Sequence, residues 1–194
     1  GQRVGGDMIK MINRQLFGND STQSLSKENF LAGFFAALDD KALASVDSAS
    51  MYVNTKAEEI RTKAIEAQYA DYKKENEAFL AENKSKEGVK TTASGLQYKV
   101  ITEGKGEVPT AESRVKVNYK GTMIDGTEFD AREGMTFSAG HVIKGWTEAL
   151  TMMPVGSKWE LYVPQELAYG SSATGKIKPF STLIFEIELL EIEK

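Results

Sequence analysis

The chain contains no cysteine. Disulfides, a thiol nucleophile and zinc–thiolate sites are therefore excluded, while the compartment stays open. It contains a single histidine, His141, beside Gly140. A serine relay would need that imidazole next to a nucleophile and an acid, and no G-x-S-x-G turn occurs. A turn or solvated histidine is the plainer reading, and nothing in the spacing of the carboxylates argues for a metal. No apolar run approaches the roughly 18 residues of a membrane-crossing helix. Cations are outnumbered, 24 Lys and Arg against 28 Asp and Glu, for a net charge of −4 and a pI near 5.3, which argues against nucleic acid as a partner. The stretch GSSATG, 170–175, lacks the lysine and threonine of a phosphate loop. No basic-plus-apolar leader is visible at the first residues, so two readings stay open: a trimmed cytosolic chain, or one whose targeting segment has been removed.

What remains is ordinary globular material. The chain has 194 residues, 41% hydrophobic and 27% charged, enough for one or two domains with at least one full core. Its two halves follow different patterns. GGDMIKMINRQLFGND places Met8, Met11, Ile12 and Leu16 at helical spacing, and SLSKENFLAGFFAALDD puts Phe30, Phe34 and Leu38 on one stripe behind the capping candidate Ser26. Two such short, apolar helices bury little by themselves and need a partner. From Ser48 to Glu87 a helical pattern free of glycine and proline carries only a thin stripe, Ala57, Ile60, Ala64 and Ala67. It reads either as a helix packed on its own domain or as a mostly exposed spacer, and the thinness of the stripe favours the spacer. Gly88 is a candidate helix terminator, and 91–95 a linker.

After Gly88 the period becomes two. Val115, Val117 and Tyr119 share a face, as do Trp159, Leu161 and Val163, and Leu183, Phe185, Ile187 and Leu189. MIDGTEF is a hairpin turning at Asp125–Gly126, and a short helix runs from Trp146 to Met153, ahead of Pro154. The expected fold class is α+β: a C-terminal antiparallel β-sheet wrapped around one short helix, preceded by an all-α domain and a long linker helix. The divisions expected are 1–47 helical, 48–87 linker helix and 88–194 sheet domain.

The stretch HVIKGWTEALTMMPVGSKWELYVPQELAYG holds both tryptophans and the histidine, yet no nucleophile beside a base. Taken with VKVNYKGTMIDGTEFDA and STLIFEIELL, it carries the ordered set Y-x-G, DG-x-x-FD, VI-x-GW, P-x-x-LAYG and L-x-F-x-x-E-L-L. That set resembles the FKBP family of peptidyl-prolyl cis-trans isomerases over roughly 88–194. The junction FLAENKSKEGVKTTASGLQYKV is similar to that of two-domain bacterial members of the macrophage-infectivity-potentiator type, and the resemblance implies a homodimer formed through the N-terminal helices. It also implies site roles. Trp146 would be the floor of an apolar cup, with Tyr119, Phe129, Val142, Ile143, Tyr169 and Phe185 as walls. Asp130 would sit at the rim and bond to the Tyr119 hydroxyl or a ligand, and the Ile143 N–H and Tyr169 hydroxyl would hold substrate carbonyls. Met135, Phe137 and Ile177 would complete the substrate-binding rim.

The implied activity is acceleration of X–Pro rotation in unfolded or nascent polypeptides, without cofactor, metal or covalent intermediate. The resemblance further implies inhibition by macrolides of the FK506 or rapamycin type and a place in the bacterial periplasm or cell envelope. The alternative is a non-catalytic dimeric chaperone that holds unfolded chains. Residue by residue, a second reading stands beside the first: Trp146, Phe129 and Phe185 as plain core, Asp130 as a strand-end turn residue, Tyr169 packed under its own loop. Two departures from the family pattern stand out. AREGM replaces a longer loop after Asp130, leaving Arg132 unassigned, and IKPFST replaces the usual I-P-P-N or I-P-P-H run, bringing in Lys178 and Phe180.

Overall fold

The computed structural model describes residues 2–17, 24–38 and 46–193. The chain divides into two compact units, Gly1–Gln68 and Tyr69–Lys194. The first contains helices α1 (Gln2–Phe17), α2 (Lys27–Leu38) and α3 (Val46–Gln68). Ser26 does cap α2: its Oγ accepts the Asn29 N–H at 3.3 Å. Of the α1 stripe, Ile12 is half-buried and Met11 is 62% exposed, while Ile9 is the buried position. The side chains of Met8, Leu16, Phe34 and Leu38 lie outside the described residues. On α3, Ala57 and Ile60 are half-buried and Ala64 and Ala67 exposed, as a thin stripe should be.

The helical run expected over 48–87 is two helices. Tyr69, at φ −109° and ψ 16°, leaves helical geometry, and α4 follows over Ala70–Asn83. No proline or glycine marks the break. It falls just ahead of Tyr72 and Asn76, which are bonded to Ser181 and Thr182, immediately before the last strand of the sheet domain. The second segment thus belongs to the C-terminal unit and is partly buried there.

That unit is a six-stranded antiparallel sheet in the order β1-β2-β5-β6-β3-β4, with strands β1 (Val89–Thr91), β2 (Gln97–Thr102), β3 (Arg114–Met123), β4 (Glu128–Ser138), β5 (Lys158–Val163) and β6 (Leu183–Glu193). The alternation read from the sequence holds. Val115, Val117, Leu161, Val163, Leu183, Ile187 and Leu189 are fully buried, and Trp159 and Phe185 nearly so. Helix α5 (Lys144–Leu150) covers this inner face with Trp146, Ala149 and Leu150. It begins two residues earlier and ends three earlier than its sequence pattern, because Ile143 is an extended N-cap and the Thr151 hydroxyl closes the last turn on the Thr147 and Glu148 carbonyls. The hairpin turns where expected: Gly126 N–H bonds to Met123 O, and Thr127 N–H to Asp125 Oδ1. Strand β1, which pairs Val89 with Lys99, was not foreseen and ends at Thr91, where the expected linker begins.

The opposite face is covered at one end by α4. Its Phe79 ring lies 6.1 Å from that of Tyr162, and Asn83 and Gln97, both buried, bond at 3.0 Å. Gln97 in turn donates to the Leu80 carbonyl at 2.8 Å. Buried amides of this kind are tolerated only when paired. Burial beside the Glu160 carboxylate, which accepts its hydrogen bond, pushes the Tyr162 hydroxyl well above the ordinary phenol range.

Candidate active site

Strand pairing sets the geometry. Tyr119 on β3 lies opposite Ile187 on β6, and Gly121 lies between Phe185 on one side and Asp130 on the other. An added Cβ at Gly121 would stand 2.5 Å from the Phe129 ring and 3.0 Å from that of Phe185. The glycine of the Y-x-G run is thus what lets two aromatic rings close over the backbone. A Cβ at Gly145 would meet Val163 Cγ1 at 2.5 Å, so the glycine before Trp146 lets α5 lie tightly on β5 and seats the indole.

Trp146 is 4% exposed. Its ring is met edge-on by Tyr119, Phe137 and Phe185 at centroid distances of 5.1, 5.6 and 5.1 Å, the arrangement that aromatic quadrupoles prefer. Phe129 stands perpendicular to Phe185 at 5.5 Å. Val142, Ile143 and Tyr169 continue the wall, and Thr174, Gly175, Lys176 and Ile177 close the far side of a cavity of about 410 Å³. The indole N–H of Trp146 is buried without an acceptor among the described residues.

The one acidic residue of the wall is Asp130. The Tyr119 hydroxyl donates to its Oδ2 at 2.5 Å, and Arg132 Nη2 reaches Oδ1 at 3.7 Å from outside the cup. Burial, then the bond to Asp130, pushes the Tyr119 phenol up to about 12, so it stays a neutral donor at ordinary pH. The Ile143 carbonyl accepts the Trp146 and Thr147 N–H groups at 2.9 and 3.1 Å. Among the described residues the Ile143 N–H and the Tyr169 hydroxyl make no hydrogen bond, which leaves both for a ligand. No group of three His, Cys, Asp or Glu among those residues could hold a metal ion. His141 is exposed, with Nδ1 3.0 Å from Ser138 Oγ.

Ten of the eleven residues singled out from the sequence line this cavity: Tyr119, Phe129, Asp130, Phe137, Val142, Ile143, Trp146, Tyr169, Ile177 and Phe185. Met135 does not. It is 39% exposed on the edge strand, where the β3–β4 register shifts between the pairs Val117–Met135 and Tyr119–Arg132. Met135 keeps the parity of Phe137 and lies opposite buried Val117, but it stands beside the bulge, where the edge strand bends, and is left exposed and out of the cavity. Thr174, Gly175 and Lys176 were not foreseen. Their signal was position alone, in a glycine-bounded loop between Tyr169 and Ile177.

Comparison with known proteins identifies the family. Residues 105–190 match the family model for FKBP-type peptidyl-prolyl cis-trans isomerases, and residues 1–100 match the domain amino-terminal to that isomerase. The chain is 45% identical over 187 residues to the FKBP-type 22 kDa peptidyl-prolyl cis-trans isomerase of Escherichia coli, covering 92% of this chain and 89% of the relative. It is 50% identical over 127 residues to the outer membrane protein MIP of Legionella longbeachae, covering 63% of this chain but only 54% of that protein. The crystal structure of FkpA from Escherichia coli superposes with a TM-score of 0.65 at 33% identity, over 99% of this chain and 91% of that one. The chain therefore belongs to the FKBP-type peptidyl-prolyl cis-trans isomerases.

Proposed function

We propose that the cup over Trp146 is where this chain carries out its family's reaction, rotation about X–Pro bonds in unfolded polypeptides. The observation that carries the reading is the floor: one buried indole met edge-on by three rings in a cavity of about 410 Å³, suited in size and polarity to a proline ring. The planar amide resists rotation by roughly 20 kcal/mol because twisting removes its resonance. The twisted carbonyl is less polar than the planar one, and water stabilises the planar form better. A dry aromatic cup withdraws that solvation and narrows the gap. The Ile143 N–H and Tyr169 hydroxyl supply fixed donors for the flanking carbonyls, which orients the chain while one side of the bond turns. A gain of about 10⁴–10⁶ in rate asks for about 5–8 kcal/mol, which needs no proton transfer, nucleophile or metal.

The N-terminal helices are read as a homodimerisation module, supported by the match of residues 1–100 to the domain that precedes this isomerase. On this reading 1–47 pairs two chains, α3 is the spacer, and the sheet domain together with α4 catalyses. A macrolide of the FK506 or rapamycin type would compete for the same cup, and the working place is the bacterial envelope, in keeping with the relative named as an outer membrane protein. No helix among the described residues is long and apolar enough to cross a membrane. The decisive experiment is a protease-coupled proline-peptide assay on the full chain. Catalysis inhibited by such a macrolide is expected. Peptide binding with an uncatalysed rate would instead make the protein a holding chaperone.

A further inference from the structure

Among the described residues, Phe180 is the only non-glycine with a left-handed backbone, at φ 63°. That conformation crowds Cβ against the following carbonyl and is a true outlier for a bulky side chain. It persists only where the surroundings over-determine it, and at Phe180 those surroundings include α4. The Phe180 ring is 3% exposed, and Lys73 Nζ lies over it, 5.1 Å from the centroid. Two residues on, the Thr182 N–H donates to Asn76 Oδ1 at 2.7 Å. Asn76 is 2% exposed, and its Nδ2 donates to the Tyr72 carbonyl at 2.8 Å, which sets the direction of the amide. Between them, Ser181 Oγ donates to the Lys178 carbonyl at 2.8 Å and so receives the Tyr72 hydroxyl at 3.0 Å. Lys178 Nζ in turn lies over the Tyr72 ring at 5.2 Å.

The same short segment forms the far wall of the cup. Thr174 and Ile177 pair with each other through two backbone bonds of 3.0 and 2.9 Å, and the Phe180 N–H bonds to the carbonyl of Gly170 at 2.8 Å, next to Tyr169. The grip of α4 and the rim of the cup are thus two ends of one loop, joined through a residue whose backbone would otherwise turn the other way.

We propose that α4 is a positioning element of the isomerase site. Tyr72, Lys73 and Asn76 hold Phe180 left-handed and thereby fix the 174–177 rim at the distance a bound peptide requires. The proposal rests on the reading of the cup as the substrate site. If the grip is released, Phe180 relaxes towards negative φ and the rim loosens, while Trp146 and its surrounding rings stay in place. Binding of an extended peptide weakens, and the turnover of what is bound changes little.

The test uses the full chain and a proline tetrapeptide. Asn76→Ala is expected to raise KM about three- to tenfold with kcat within about twofold. In amide hydrogen exchange, Ile177 and Phe180 are expected to lose protection while Val117 on β3 keeps it. Adding Phe180→Asn, whose side chain tolerates the left-handed region, should bring KM back towards the parent value although the double variant melts no higher. A merely structural grip would not produce that rescue. Tyr72→Phe, which removes one hydroxyl and keeps the ring, gives a smaller KM change in the same direction and decides the matter if Asn76→Ala does not fold. Unchanged KM and unchanged Ile177 protection in these variants, with only a lower melting temperature, overturn the proposal. An inactive parent chain would sink the reading of the cup instead, and the exchange data alone would then judge whether α4 fixes the rim.

Discussion

Helices α3 and α4 are neighbours in the chain and alike in composition, both rich in alanine and charge and both without proline or glycine. Their fates differ. The described residues of α3 are exposed or half-buried, and the ion pair of Lys56 with Glu59, at 2.7 Å, lies in solvent. Helix α4 buries Asn76 and Asn83 to 2% and 0% exposure and sends three polar side chains into the sheet domain. The lesson is that a polar helix is not thereby a spacer. An asparagine that finds a backbone N–H or a partner amide can be buried as fully as a leucine, and hydropathy records it as solvated.

The sharpest break of this comparison is truncation. A chain beginning at Gly88 loses all of α4, whereas one beginning at Tyr69 keeps it. The shorter fragment is expected to be less stable by at least about 4 kcal/mol, since Thr182 N–H, Gln97 and Tyr162 lose their buried partners. Urea unfolding of the two fragments checks this, and coincident midpoints would mean that α4 is dispensable. Next in size is the cup floor. Trp146→Leu should lower kcat/KM about tenfold or more, equivalent to about 1.4 kcal/mol of transition-state stabilisation. The measurement is made well below the variant's melting temperature, and an unchanged value would return Trp146 to plain core.

Within the two helices the contrast can be taken to single residues. Asn83→Ala removes the partner of buried Gln97 and is expected to cost about 1–2 kcal/mol in thermal or urea unfolding. Lys56→Ala on α3 breaks a solvated ion pair and an exposed contact over the Tyr52 ring and should leave the unfolding curve nearly where it was. A clear shift in the second, or none in the first, would erase the distinction drawn here. The smallest expected effect is that of pH. Burial and the bond to Asp130 raise the Tyr119 phenol to about 12. Its contribution to stability is therefore complete below the unfolded value near 10 and is lost only as pH climbs through about 12. Isomerase activity should be flat between about pH 6 and 8, where His141 has no assigned role. A sigmoid profile in that range that disappears in His141→Gln would demand proton transfer and overturn the mechanism.

The inner face of the sheet and the cup were legible before any coordinates. Alternation on β3, β5 and β6 names the buried side because a strand's side chains change face at every residue. The aromatic runs around Tyr119, Trp146 and Phe185 read as a pocket through family resemblance. Met135 has the parity of the inner face but stands beside a bulge on the edge strand and stays out of the cup, and Thr174 to Lys176 escaped the reading because loop residues carry no period at all. Lys178 and Phe180 stood out in the sequence as departures without a meaning. Their meaning required α4 to be brought against the 178–182 segment, about a hundred residues further along the chain.

The sequence by itself thus determined the α+β class, the four inner strands and the short helix under the cup, and its family resemblance named ten of the thirteen residues lining the cup. The elements follow from periodicity and from side chains whose burial is favourable wherever they go. Tertiary structure alone decided where the long helical run divides, which half joins the sheet domain, and why a phenylalanine can hold a left-handed backbone at the rim. Those outcomes depend on single hydrogen bonds between distant residues, such as Asn76 to Thr182 at 2.7 Å, and a polar side chain's local sequence does not reveal whether its partner will be water or protein.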